Sequence, residues 1–140
     1  MGQTFTAGHS GELKSVKLYL RNGGSASAGL TLDIKAVSGG QPSGASLLQA
    51  ASVIPNSDVG SAGGGVQSVT VTFTTPPELV SGQEYAILVS TTDTNAYDMW
   101  HDSSNSDYSG GTAILSSNGG ATWSNAGYDF SFETVMSWTE

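Results

Sequence analysis

The sequence contains no cysteine, four prolines and only four basic residues in 140. Without cysteine there is no disulfide, no thiolate-ligated metal and no cysteine nucleophile. With so few bases and a net charge of −8, a nucleic-acid partner is excluded, because a phosphate-binding surface needs clustered Lys and Arg. No apolar run reaches the roughly 18 residues of a membrane span, so membrane insertion by a helix is not expected. Apolar residues make up 37% and charged residues 11% of the chain. The balance is filled by 19 Gly, 22 Ser and 14 Thr. A chain of this length is one ordinary domain, and it buries roughly two-thirds of its unfolded surface without staples. No linker and no repeat of fixed period divides it, so residues 1–140 are read as a single domain.

The bases are also misplaced for an even charge distribution. Lys14, Lys17, Arg21 and Lys35 all fall in the first 35 residues, and Ala36–Glu140 holds ten acids and no base. The acids are scattered singly among apolar residues, which favours a solvated acidic face over an anionic tail. Convergence of some of them on a cation is the alternative. The opening Met1-Gly2-Gln3-Thr4-Phe5 has neither the basic n-region nor the apolar h-region of a signal peptide. It reads as the start of an excised module, or as a module with Met1-Gly2 added for expression.

What the sequence does have is a hydrophobic period of two. Val16, Leu18 and Leu20 alternate with Lys17, Tyr19 and Arg21; Leu30, Leu32, Ile34 and Ala36 with Thr31, Asp33 and Lys35. Val69, Val71 and Phe73 alternate with threonines, and Tyr85, Ile87 and Val89 keep the rule. Phe130, Phe132, Thr134, Met136 and Trp138 share one face of a last run. Shorter strands are expected over 3–7, 47–54, 97–101 and 112–116. Gly, Asn and Pro clusters punctuate these runs at 22–24, 38–42, 63–65, 76–77, 81–82 and 118–120. Only Gly44–Val53, with Leu47, Leu48, Ala50 and Ala51, offers a competing short helix. Eight or nine short strands with turns between them predict an all-β fold, an antiparallel β-sandwich of jelly-roll type. The two long loops, Pro55–Gly65 and Ser103–Gly111, are where such a fold carries its function.

Several chemistries find no support. No serine has glycine on both sides, as a nucleophile elbow requires. His9 and His101 are too far apart for a zinc-binding pair. The Gly60–Gly65 stretch leads into a strand and lacks the Lys-Ser/Thr and helix of a phosphate loop. A two-carboxylate glycosidase would need a deep groove that so short a chain has few residues to build. The reading is therefore non-enzymatic.

Residues Ser116-Ser117-Asn118-Gly119-Gly120-Ala121-Thr122-Trp123 read S-x-N-x-G-x-T-W. This resembles the Asp-box hairpin, S-x-D-x-G-x-T-W, with Asn118 in the Asp place. An Asx side chain there bonds the turn backbone, the glycine takes positive φ and the aromatic packs beneath. Ser116, Asn118, Gly120 and Trp123 are thus expected to be structural. On a larger scale the chain resembles jelly-roll accessory modules of the carbohydrate-binding or galactose-binding kind, found in bacterial secreted and surface proteins and in phage structural proteins. The resemblance is carried by Gln3-Thr4-Phe5-Thr6-Ala7-Gly8, Gly11-x-Leu13-x-x-Val16-x-Leu18-Tyr19-Leu20, Ser38–Gly44, Phe73-x-x-Pro76, Leu79-x-x-Gly82-x-x-Tyr85-Ala86-Ile87, Tyr108-x-Gly110-Gly111, the hairpin, and Asp129-Phe130-x-Phe132. It implies a non-catalytic extracellular or virion module that holds a polysaccharide or cell-surface glycan. The alternative it leaves is a decoration, fibre or stalk domain, with a homo-oligomer then expected.

Sugar-binding sandwiches stack aromatic rings on pyranose faces and ring them with polar side chains. Tyr97, Asp98, Trp100, His101, Asp102, Asn105 and Tyr108 form the expected ligand patch. Trp123, Tyr128 and Trp138 are further aromatic candidates, with hairpin or core packing the plainer role for Trp123 and Trp138. Tyr19, beside Lys17 and Arg21, is a possible platform on an outer sheet face. Calcium is the one cofactor to weigh, since jelly-roll modules often carry a structural ion. Asp102, Asn105 and Asp107 offer it oxygen ligands, although the loop lacks the glycine and distal glutamate of an EF-hand. The competing role for that loop is a solvated run of Asx turns.

Overall fold

The computed structural model describes residues 1–22, 29–48, 52–55, 59, 65–91, 97–99, 110–116, 120–126 and 129–137, with Ser52 and 97–99 through their backbone alone. All elements within them are strands, twelve in number: β1 (Gly2–Thr6), β2 (Gly11–Asn22), β3 (Leu30–Ser38), β4 (Gln41–Ser43), β5 (Ser52–Ile54), β6 (Gln67–Thr72), β7 (Glu78–Leu79), β8 (Glu84–Ser90), β9 (Tyr97–Met99), β10 (Ala113–Leu115), β11 (Ser124–Asn125) and β12 (Phe132–Ser137). Five of them (β2, β3, β6, β8 and β12) match the alternating runs, and four (β1, β5, β9 and β10) overlap the shorter strands expected. The other three, β4, β7 and β11, of two or three residues each, lie outside the expected strands. The helix that competed over Gly44–Val53 does not form among the described residues: 44–48 is a bend and 52–54 is β5.

The strands make two antiparallel sheets. In the seven-stranded sheet the order is β11-β10-β1-β8-β3-β4, with β5 also on β3. Ala36 pairs with both Tyr85 and Ser43, and Thr31 with both Ser90 and Val53. Hence β4 and β5 lie end to end on the edge of β3 that faces away from β8. In the five-stranded sheet β2 is the spine. Leu18 pairs with Phe132 on one edge and Val69 on the other; Leu20 pairs with Gln67 and Met99; Glu12 pairs with Ser137 and Glu78. One edge of β2 therefore carries β12 and then β9 in line, and the other carries β7 and then β6. The chain crosses between sheets at most connections, the wrapping expected of a jelly roll.

Alternation places the core between the sheets. Leu13, Val16, Leu18 and Leu20 of β2 meet Leu30, Leu32 and Ile34 of β3 and Tyr85, Ile87 and Val89 of β8, all buried. Each large aliphatic side chain contributes about 1.5–3 kcal/mol by leaving water. The buried polar side chains among the described residues include Gln3, Thr4, Asn22 and Asp129. Gln3 falls in register with Ala113 on one side and Ile87 on the other, on the apolar face of β1, and is fully buried. Its Nε2 donates to Asp129 Oδ1 at 3.1 Å and to Thr4 O at 3.0 Å, and its Oε1 accepts the Phe130 N–H at 2.8 Å. The amide thus ties β1 to the segment that enters β12 in the opposite sheet.

The seven-stranded sheet is strongly curled. Laid flat, its five strand spacings would separate β11 from β4 by about 24 Å. Yet Gln41 of β4 bonds the residue before β11: its Nε2 donates to Trp123 O and its Oε1 accepts the Trp123 N–H, both at 2.9 Å. One side-chain amide thus replaces a strand pairing and joins the two ends of the sheet. Gln41→Ala is expected to cost about 1–2 kcal/mol in urea unfolding and to speed amide exchange at Trp123 far more than at core amides such as Ile87.

Candidate functional site

The described residues form an open groove of about 880 Å3 at one margin of the sandwich, lined by Phe5, Thr6, Tyr19, Val66 and Phe130–Thr134. Its parts come from both layers. Phe5 and Thr6 end β1, Tyr19 lies on β2, Val66 precedes β6, and 130–134 run into β12. Phe5 and Phe130 are buried and make the floor, whereas Phe132 and Tyr19 are half-buried and present ring surface. The Phe5 ring stands 6.2 Å from Phe132 and 6.1 Å from Tyr85, tilted in both cases, within the range of favourable aromatic pairs.

The rim is polar. Glu133 pairs with Lys17 Nζ at 3.5 Å and accepts the Tyr19 hydroxyl at 3.4 Å. The same Lys17 ammonium lies 5.6 Å from the Tyr19 ring centroid, a cation–π distance. Both contacts reach the ring from its polar side. On the other side Thr6 Oγ1 donates to Gly110 O at 2.7 Å.

The sequence-predicted ligand patch is only partly described. Tyr97 and Asp98 lie in β9, in register with Asn22 and Arg21 of the spine strand, and Met99 is in register with Leu20. Trp100, His101, Asp102, Asn105 and Tyr108 lie outside the described residues, as does Asp107 of the candidate calcium loop. Of the backbone that flanks them, Met99 is in register with Leu20, the residue after Tyr19, and Gly110 O accepts the Thr6 hydroxyl. No group of three His, Cys, Asp or Glu residues that could hold a metal occurs among the described residues. Tyr128 and Trp138 also lie outside them.

The Asp-box-like turn is described except at 117–119, so Asn118 lies outside the described residues. Ser116 Oγ accepts the Gly120 N–H at 2.8 Å, Gly120 has φ +93°, and the Trp123 indole N–H donates to Gly120 O at 3.2 Å. A Cβ on Gly120 would sit 3.7 Å from the Trp123 ring. Trp123 is half-buried under its own turn and takes no part in the sandwich core. Its hydrogen bonds go to Gln41 and to Gly120.

The groove as a whole escapes local sequence patterns, because its lining is drawn from four separated segments. Tyr19 alone was foreshadowed, as an aromatic on a strand's polar face. Phe5, Phe130 and Phe132 read as core by alternation, and the first two are core. Comparison with known proteins adds no relative: no family model, curated protein or solved structure matches this chain.

Proposed function

We propose that this chain is a non-catalytic binding module that holds carbohydrate in the groove at the start of β12, and that it serves a larger secreted, cell-surface or virion protein by placing it on a glycan. The observation that carries this reading is the pairing of half-exposed Tyr19 and Phe132 rings with a rim of Thr6, Ser131, Glu133 and Thr134. Apolar ring faces stack on the C–H faces of a sugar, and hydroxyl and carboxylate groups bond its hydroxyls. The described lining offers one carboxylate, Glu133, where glycoside hydrolysis by the usual route needs two. A single site of this kind binds weakly, and display in several copies strengthens it by about 10²–10⁴.

A glycan array followed by calorimetry on the best hit tests the proposal. Tyr19→Ala and Phe132→Ala are each expected to weaken binding tenfold or more while circular dichroism keeps the β signature. Absence of binding to any glycan, or full affinity in both variants, overturns it. The second reading, a structural or interaction domain, is favoured by Val53 and Val135, which are 69% and 55% exposed on sheet-edge strands. Light scattering separates the two, since a stable oligomer that buries these valines belongs to the second.

A further inference from the structure

We infer that the groove selects neutral glycans and turns away those bearing carboxylate, sulfate or phosphate groups, an inference that rests on the carbohydrate-binding reading above. An anion taken from water into a groove needs a cation or several free donors to offset its lost hydration. The described lining provides no Lys or Arg, and its one charge is negative.

The rest of the molecule has little to lend. The chain contains four bases, none after Lys35, so no segment beyond that point, described or not, can bring a Lys or Arg to the rim. Lys14 is bonded to Glu12 at 3.3 Å, toward the far end of β2. Lys35 is on β3 in the opposite sheet, in register with Ala86. Lys17 is shared between Glu133 and the Tyr19 ring. Arg21, two residues past Tyr19, is outside the lining and already engaged. The Met1 ammonium donates to Val89 O at 3.0 Å, at the other end of β1, and burial holds its pKa below the ordinary 8.0. Two donors on the rim are committed as well: the Thr6 hydroxyl donates to Gly110 O and the Tyr19 hydroxyl to Glu133. Around all of this stands the field of a protein with net charge −8, which lowers the local concentration of anions.

The test compares oligosaccharides that differ only at C6. Hexamers of galactose, glucose and mannose are titrated beside the matching galacturonate, glucuronate and mannuronate hexamers, by calorimetry at pH 8 in about 20 mM salt, where the Debye length is still long. At least one neutral hexamer is expected to bind at least tenfold tighter than its acidic twin. Raising the salt to about 0.5 M is expected to narrow the gap. Glu133→Gln removes the rim charge and releases Lys17, so it too is expected to narrow the gap, by raising affinity for the acidic hexamer. An acidic hexamer that binds as tightly as its neutral twin overturns the inference and leaves the glycan site standing. Failure of all six to bind, with no hit on the wider array, removes the glycan site itself.

Discussion

Gly111→Ala is expected to lower the melting temperature by more than about 10 °C. A Cβ at that position would lie 2.0 Å from Thr4 O and 2.4 Å from Thr4 C, so the obstacle is backbone and cannot rotate away. The approach is that close because Thr4 and Thr112 bond each other three times. The Thr4 N–H donates to Thr112 O at 2.9 Å, Thr4 Oγ1 donates to the same oxygen at 3.2 Å, and the Thr112 N–H donates to Thr4 Oγ1 at 2.8 Å. A methyl group must separate β1 from the entry to β10 and break part of this set. Overpacking costs about 1–3 kcal/mol and each lost buried bond about 1 more, so a total near 4 kcal/mol is expected, at about 3 °C per kcal/mol for a domain of this size. Gly44→Ala is the control. It has φ +77° with nothing within 4 Å of the added carbon, so it carries only the conformational cost, about 1 kcal/mol. Equal melting temperatures for the two variants would show that β1 gives way at Gly111 without cost.

Gln3→Leu should cost nearly as much, about 3–5 kcal/mol in urea unfolding. The leucine fits the volume and matches the apolar row of Ala113, Ile87 and Ile34, so size is not the cause. The loss comes from the groups left behind: the buried Asp129 carboxylate loses its Gln3 donor and the Phe130 N–H its acceptor. Removing one side of a buried charged contact is far more damaging than never having built it. Gln3→Glu separates shape from charge. It sets a second carboxylate at the 3.1 Å contact with Asp129, and such a pair retains a proton to higher pH than either acid alone. The folded variant then binds more protons than its unfolded chain. Its stability therefore falls as pH rises through that range. The deficit relative to the parent protein is expected to be large at pH 7.5 and smaller at pH 4.5. A deficit that does not change with pH would mean that Asp129 is not the partner that matters.

The two predictions also mark what the sequence makes legible. Period-two runs such as Leu30–Ala36 and Val16–Arg21 state both strand and face, because one sheet side is buried everywhere. The same rule puts Gln3 on the face of Phe5 and Ala7. What it does not state is the partner: Asp129 lies 126 residues away, and nothing local to either residue announces the other. Short pairings such as Glu78–Leu79 arise because β2 is long enough to seat two strands on each edge, a property of the assembled sheet. The groove is of this second kind. Tyr19 is visible as an aromatic among charges, but Val66 and Ser131 acquire a role only when the layers meet. The stretch around Ser116, Gly120 and Trp123 is the contrary case, since serine, glycine and tryptophan at fixed short offsets bond one another.

The long spine strand has a consequence for synthesis. β1 finds its neighbours in β8 and β10, and β2 finds its own in β6, β7, β9 and β12. As the ribosome delivers the chain from the N-terminus, its first two strands emerge with every hydrogen-bonding partner still untranslated. No stable early intermediate can form from residues 1–40 alone, and closure waits for β12. Nascent chains stalled before residue 132 are therefore expected to remain open to protease, and those stalled far enough past residue 140 for it to clear the exit tunnel, to resist it.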